Sequence, residues 1–297
     1  MTTFNDLVEE VLINLEGFTL RQDRTTYLTS AIDNNDLTLA LASGDNIGKG
    51  IVEIDDELLH IDSVDRSDRS ATISPFGRGY RGTTAASHSL NSKVTFAPSF
   101  PRISVKRAIN DTLRAIYPNV YGVASYTFTF NASQNTYQLP AAAETIIAVS
   151  WDTIGSSQEW LPIRRWRHDP MANSTDFANG NSITLNEAIL PGRTVQVVYA
   201  KTPTPLSTNN DVFTTVTGLE ETSRDLVVYG ASYRMASFLD PGRLTFTSPE
   251  ADANDQTRPF GSGTSTARYL YSLYQQRLQE ETNRINGKYP VRVHYVS

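Results

Sequence analysis

The sequence predicts an α+β protein, a four-helix bundle core with two inserted antiparallel β-domains. Three observations carry this expectation. Apolar residues recur at helical spacing in four separated stretches, each with only one apolar face. Between the first and second, and between the second and third, the pattern changes to short alternating strands bounded by turn clusters. No stretch is apolar around its whole circumference, so each helix needs a partner, and four suffice for one bundle.

The elements follow in order. Leu7, Val8, Val11, Leu12 and Leu15 share a face of a helix over 3–17, with Thr3 and Asp6 suited to its start and Gly17 to its end. Strands are expected at 37–41, 50–54, 58–64, 71–73 and 94–96, separated by turns such as 33–36 and 43–46. A second helix is expected over 101–117, with Pro101 in the first turn, where a missing N–H costs nothing, and Val105, Ile109, Leu113 and Ile116 as its stripe. Strands return at 126–130, 146–151, 183–185 and 195–199. The third helix spans 219–239 and the fourth runs from 265 to Gly287. The expected division is 1–19, 98–121 and 207–288 as helical core, 20–97 and 122–206 as β-domains, and 289–297 as an extended tail.

Composition narrows the function. No apolar run reaches the roughly 18 residues a membrane span needs. Met1 to Asp6 shows no basic or apolar leader, so no secretory signal is expected. The chain has no cysteine, which excludes disulfides and thiolate chemistry. A net charge of −6 is the wrong sign for gripping nucleic acid over the whole surface.

Candidate chemical motifs fail on context. Gly77, Gly79 and Gly82 spell G-x-G-x-x-G, but no helical pattern follows and no acid lies between Gly82 and Asp111. A β-loop whose glycines allow positive φ is expected instead. Residues 44–50 resemble a phosphate loop one residue short, with Gly50 where a hydroxyl belongs, and a turn is expected. Asp55-Asp56-Glu57 is expected as a solvated hairpin turn rather than a metal site. His60, His88, His168 and His294 do not share ligand spacing. No cofactor or catalytic residue is assigned.

Two segments stand out. Trp160 to His168 interleaves Arg164, Arg165 and Arg167 with Trp160 and Trp166. Such a cluster suits a strand whose arginines meet neighbouring acids, a charged protein interface, or binding of nucleic acid or carbohydrate. In the tail, Val291, Val293 and Tyr295 alternate with Arg292 and His294 at the period of a strand, and no later strand follows to pair with.

The stretch 54–61, followed by Arg78-Gly79-Tyr80-Arg81-Gly82-Thr83 and His88, resembles a β-module of tailed-bacteriophage structural proteins. There an acidic hairpin precedes an R-G-x-x-G-T-x-A-x-x-H loop. Pro203-Pro205-Leu206, Thr222 to Asp225, Gly230-Ala231, and the helix bearing Arg277, Gln279 and Asn283 resemble the paired helices of phage head-to-tail adaptor (connector) proteins. The resemblance implies a non-enzymatic neck component of the virion, forming a ring of twelve copies beneath the portal. Its partners would be the portal protein, neighbouring copies, a downstream tail or neck protein, and viral DNA passing without sequence-specific binding; no membrane is involved. On this reading Arg164, Arg165, Trp166 and Arg167 lie at an inter-subunit interface, and Tyr289, Val291, Arg292, Val293 and Tyr295 form a portal-docking tail. The alternative is a tail or baseplate protein whose β-domain binds carbohydrate through Trp151, Trp160 and Trp166.

Overall fold

The computed structural model describes residues 1–17, 23–153, 159–237 and 262–290. The class is mixed α+β with antiparallel sheets, as expected. Packing divides the chain into two units, neither of which is a separate helical bundle.

Helix α1 (Phe4–Glu16) opens with a reciprocal cap. The Thr3 N–H donates to Asp6 Oδ2 at 2.8 Å, and the Asp6 N–H donates to Thr3 Oγ1 at 3.2 Å. Phe4, Leu7, Val8, Val11 and Leu15 are buried.

One unit, Val8–Ile109 with Val228–Tyr271, contains the first β-domain. Its strands are β1 (Arg24–Tyr27), β2 (Thr38–Ala40), β3 (Gly50–Ile54), β4 (Glu57–Asp65), β5 (Ser70–Ile73) and β6 (Lys93–Phe96). They form one sheet in the order β1-β6-β3-β4-β5-β2. The sheet curls until its edges meet at a bridge between Leu28 and Leu41. There Thr29 N donates to Ala40 O and Ala42 N donates to Tyr27 O, both at 2.9 Å. Leu39, Val52, Ile54, Leu59, Ile61 and Val94 fill the interior. Helix α2 (Arg102–Ala115) follows, its first turn accepting from Val105 N at Pro101 O.

The other unit, Met1–Leu7 with Asn110–Val227 and Ser272–Ser297, holds a sandwich. One sheet has the order β10-β9-β13-β7, made of β7 (Gly122–Thr129), β9 (Thr145–Asp152), β10 (Trp160–Pro162) and β13 (Thr194–Lys201). The second has the order β11-β12-β8, made of β8 (Thr136–Gln138), β11 (Trp166–Asp169) and β12 (Ser182–Leu185). Val149, Ile163, Ile183, Leu185, Val195 and Val197 form the core between them. Phe128 stacks on Tyr137 at 4.3 Å between ring centroids.

Helix α3 (Phe213–Thr217) is short and stops at Gly218, whose φ of 75° suits glycine. Helix α4 (Arg224–Ala236) starts five residues later than the sequence pattern suggested, because Glu221–Ser223 forms a 3-10 turn first. Helix α5 (Ser262–Lys288) runs through Gly287 instead of stopping before it.

Candidate functional site

The acidic hairpin and the glycine loop belong to one clasp. Strands β3 and β4 join through Asp55 and Asp56, with Asp55 at a φ of 51°. This tight turn leaves Glu57 as the first residue of β4, and it is 1% exposed. Its Oε1 accepts from Arg78 Nε at 2.8 Å and Gly79 N at 2.9 Å. Its Oε2 accepts from Arg78 Nη2 at 2.9 Å, Ala86 N at 3.0 Å and His88 Nε2 at 2.9 Å. Asp55 Oδ2 meets His88 Nδ1 at 2.8 Å. Arg78 spends its remaining donors on the carbonyls of Asp33, Asp36 and Ala86.

The charges follow from this geometry. Burial pushes the Glu57 carboxyl up, but His88, Arg78 and two backbone N–H groups outweigh it and hold it at about 2. Burial pulls His88 down, while Asp55 and Glu57 raise it to about 9. His88 therefore donates from both nitrogens at neutral pH. The clasp is a buried, fully paired ionic knot, with its chemistry directed at the fold.

The hairpin turn expected at 55–57 is present and Asp55 is exposed, but the solvated reading is corrected for the residues that follow it. Asp56 pairs with Lys106 at 2.7 Å, and Glu57 is interior. The spacing of Arg78 and His88 in the loop motif was the available signal for a buried acid. The glycine loop sits between β5 and β6 with only a 3-10 turn over Tyr80–Gly82, so no helix N-terminus awaits a pyrophosphate. Gly79 and Gly82 have positive φ, as expected. Gly77 does not; there a Cβ would lie 2.5 Å from His60 O, so close approach excludes a side chain. The phosphate-loop lookalike joins β2 to β3, again without a helix.

A second polar group was invisible to sequence reasoning. Glu53, 8% exposed, accepts from Arg102 N at 2.7 Å and so caps α2 from a distant strand. Burial raises its carboxyl to about 7.

The Trp160–His168 segment forms two strands in two different sheets. Buried Ile163 anchors the crossing, with its N–H donating to Val149 O at 2.8 Å. Glu187 Oε2 accepts from the N–H groups of Arg164 and Arg165, which fixes the bend. Arg164, Arg165 and Arg167 are exposed. Among the described residues no carboxylate pairs with their guanidinium groups. Trp160 and Leu161 lie exposed beside them on β10, an edge strand. Trp151 and Trp166 pack against the sandwich core, so the three tryptophans do not make a stacking platform.

At the α4 start and α5 end, charges knit into a network. Arg284 and Lys288 reach Glu220 at 2.5 and 2.6 Å, and Arg284 also holds buried Glu281 at 2.7 Å. Lys288 first, then Arg284, keep the Glu220 carboxyl below its ordinary value. Arg277 donates to Thr222 O at 3.1 Å. Of the tail, Tyr289 is half-buried beyond α5, while Val291, Arg292, Val293 and Tyr295 lie outside the described residues. No described helix is long and apolar enough to cross a membrane.

The titratable groups gathered in the barrel are spent on holding strands and helix ends. The exposed arginine rim of the sandwich is presented outward. This is the economy of a structural protein, here a phage adaptor and not an enzyme. A family model described as SU10 adaptor protein matches residues 83–293, well over half the chain, and the chain belongs to that phage head-tail adaptor family. The match covers His88 and the whole sandwich, while Glu57 and Arg78 lie before it. No curated protein matches the chain.

Proposed function

We propose that the chain assembles as the adaptor ring between portal and tail, continuing the DNA channel, with its four long helices as the subunit's common core. Family membership supports this, and one structural observation carries the interface: three exposed arginines with no acidic partner among the described residues, beside exposed Trp160 and Leu161 on a sheet edge. A ring closes through heterologous contacts, in which one face meets a different face of the next copy. The arginine rim supplies a cationic face on a chain of net charge −6. That overall charge also suits a conduit past which phosphates must slide. Twelve copies follow from matching a twelve-fold portal, and a downstream tail or neck protein completes the stack. The tail, with Tyr289, Val291, Arg292, Val293 and Tyr295, is the proposed portal-docking segment.

The test is imaging of the full chain mixed with portal. Wild type should form a ring on the portal, and Arg165→Glu should stay folded and leave the portal bare. A reversed-charge protein that decorates portal at wild-type occupancy removes the arginine rim from the interface. A wild type that never binds portal removes the neck assignment.

A further inference from the structure

Among the described residues the sandwich has β10, β7, β11 and β8 as its edge strands, and all but one are guarded. Strand β10 has three residues and includes Pro162. Strand β8 has three residues, and β11 carries Arg167, His168 and Asp169. Short length, proline and charge all discourage pairing with a foreign strand. Strand β7 has none of these devices. Its eight residues, Gly-Val-Ala-Ser-Tyr-Thr-Phe-Thr, include no charge and no proline. Among the described residues β13 is its one strand partner, and Ser125, Tyr126, Thr127 and Thr129 are exposed.

The register of β7 shows which of its backbone groups face outward. Phe130 N donates to Arg193 O at 2.8 Å, and the pairing continues as Phe128 with Val195, Tyr126 with Val197 and Ala124 with Tyr199. Hydrogen-bonded pairs alternate along an antiparallel ladder, so these even-numbered residues bond β13. The N–H and C=O groups of Val123, Ser125, Thr127 and Thr129 point away from it. The side chains alternate too. Ala124 and Phe128 pack on the sandwich core, Tyr126 between them is 36% exposed, and Ser125 and Thr127 face solvent.

We propose that in the free chain β7 pairs antiparallel with β7 of a second copy, about a two-fold axis at Tyr126. In that register the strand is complementary to itself. Val123 lies opposite Thr129 and Ser125 opposite Thr127, so every outward-facing residue of one copy meets an outward-facing residue of the other. A shift of two residues in either direction leaves Val123 or Thr129 without a counterpart, and a shift of one sets outward groups against groups already bonded to β13. On the core side Tyr126 meets its own counterpart, and each Phe128 meets the smaller Ala124. On the solvent side the hydroxyls of Ser125 and Thr127 meet. Aromatic and hydroxyl pairs across strands both favour pairing. The strand brings no like charges together, on a chain whose net charge of −6 otherwise opposes self-association. The two four-stranded sheets become one continuous sheet, and the second copy covers the exposed part of Tyr126. A two-fold contact uses the same patch on both copies and closes at two. Copies related only by rotation about a ring axis do not share it, so a ring would have to open it. The contact guards the one bare edge of the sandwich until then, and it rests on residues other than the arginine rim.

The chain has no cysteine, so a single introduced thiol reports the contact. Tyr126→Cys sets two thiols across the axis at a non-hydrogen-bonded pair, where Cα atoms stand about 4.5 Å apart, within disulfide reach. Oxidation of the full-length variant should give a disulfide-linked dimer. Ser174→Cys, exposed on the loop between β11 and β12, should stay monomeric under the same oxidation. Equal crosslinking at the two sites would overturn the proposal. Sedimentation of the full chain over a range of dilutions gives the readout without cysteines. Wild type should be dimeric where Thr127→Lys and Ser125→Glu are each monomeric, with amide exchange of β9 and β13 unchanged. Mixing the two variants should restore a dimer, because positions 125 and 127 face each other across the axis. A wild type that is monomeric throughout, a dimer untouched by either charge, or a mixture that stays monomeric would each overturn the proposal. So would outward β7 amides that exchange slowly in the monomer, which would place another part of the same chain on the edge. Portal binding is no part of this readout, so failure here leaves the neck assignment standing.

Discussion

In the first β-domain the sheet curls until β1 and β2 meet at Leu28 and Leu41, and a buried carboxylate ties the hairpin to the loop that crosses it. In the second, two sheets face each other across an apolar, aromatic core, and among the described residues β10, β7, β11 and β8 are their edge strands. The barrel turns its strongest charges inward, where Glu57 has five donors within hydrogen-bonding distance. The sandwich turns its arginines outward and spends acids such as Glu187 on backbone N–H groups. The difference teaches which half is finished by folding and which is left with bonding capacity. A buried ion set is costly to desolvate and holds only when every lone pair is met, so it specifies one geometry. Exposed guanidinium groups on a rim cost little in the free chain, and the proposed ring would supply their acceptors.

The comparison breaks most visibly at Glu57. Glu57→Ala leaves Arg78 and His88 buried without their acid, and removing one partner of such a set costs about 3–5 kcal/mol. Denaturant unfolding should show that loss in the barrel, with amide exchange of β9 and β13 unchanged. A loss below about 1 kcal/mol would mean that the clasp is ornamental to stability.

A smaller effect is expected at Tyr137. Its hydroxyl accepts from Asn131 N at 2.8 Å and shares its one proton between the Gln134 and Asn131 carbonyls, at 2.7 and 3.0 Å, pinning the turn between β7 and β8. Tyr137→Phe keeps the stack on Phe128 and should cost about 1–2 kcal/mol. A cost as large as that of Glu57→Ala would erase the distinction between the two domains.

The two domains were unequally legible in the sequence. Helix α1 could be read because its cap and its stripe are both local: Thr3, Asp6 and the apolar residues to Leu15 lie within one element. The strands β3, β4, β9 and β13 were visible for the same reason, from their own apolar runs. The resemblance found the loop motif, but three consecutive acids at 55–57 look solvated until the fold brings Arg78 and His88 to them. Glu53 capping α2 depends on the register of β3 against β6, which no local pattern encodes. Strands β8 and β10, of three residues each, are too short to show a period, and β10 and β11 entering different sheets depends on the bend that Glu187 fixes. The exposure of the arginines could be proposed from sequence, but the absence of an acidic partner among the described residues could not, since acids remote in the chain might have met them.

A further expected effect is a change in the shape of a pH profile. The Glu57 carboxyl is held at about 2 in the fold, against an ordinary 4.5, so its contribution is present above about 4.5 and is lost as pH falls toward 2. His88 is raised from 6.5 to about 9, so its contribution is complete below about 6.5 and is lost as pH rises through 9. Glu53 is an acid raised from 4.5 to about 7 by burial, so the unfolded chain releases its proton first and stability declines between those values. Together these place the barrel's greatest stability near pH 4.5, with the Glu53 decline above it and the Glu57 loss below it. Denaturant midpoints for Glu53→Gln should lack the decline that wild type shows from 4.5 to 7. Parallel profiles for the two proteins would remove Glu53 as its source.

The central claim is that folding completes the barrel clasp while the sandwich rim is completed by assembly. Amide hydrogen exchange of the full chain, free and bound to portal, tests it most directly. The account predicts new protection at residues 160–169 on assembly, with β3, β4 and the loop from Arg78 to His88 already slow in the free chain and unchanged. Protection that appears instead at Arg78–His88, with 160–169 still open, would contradict it.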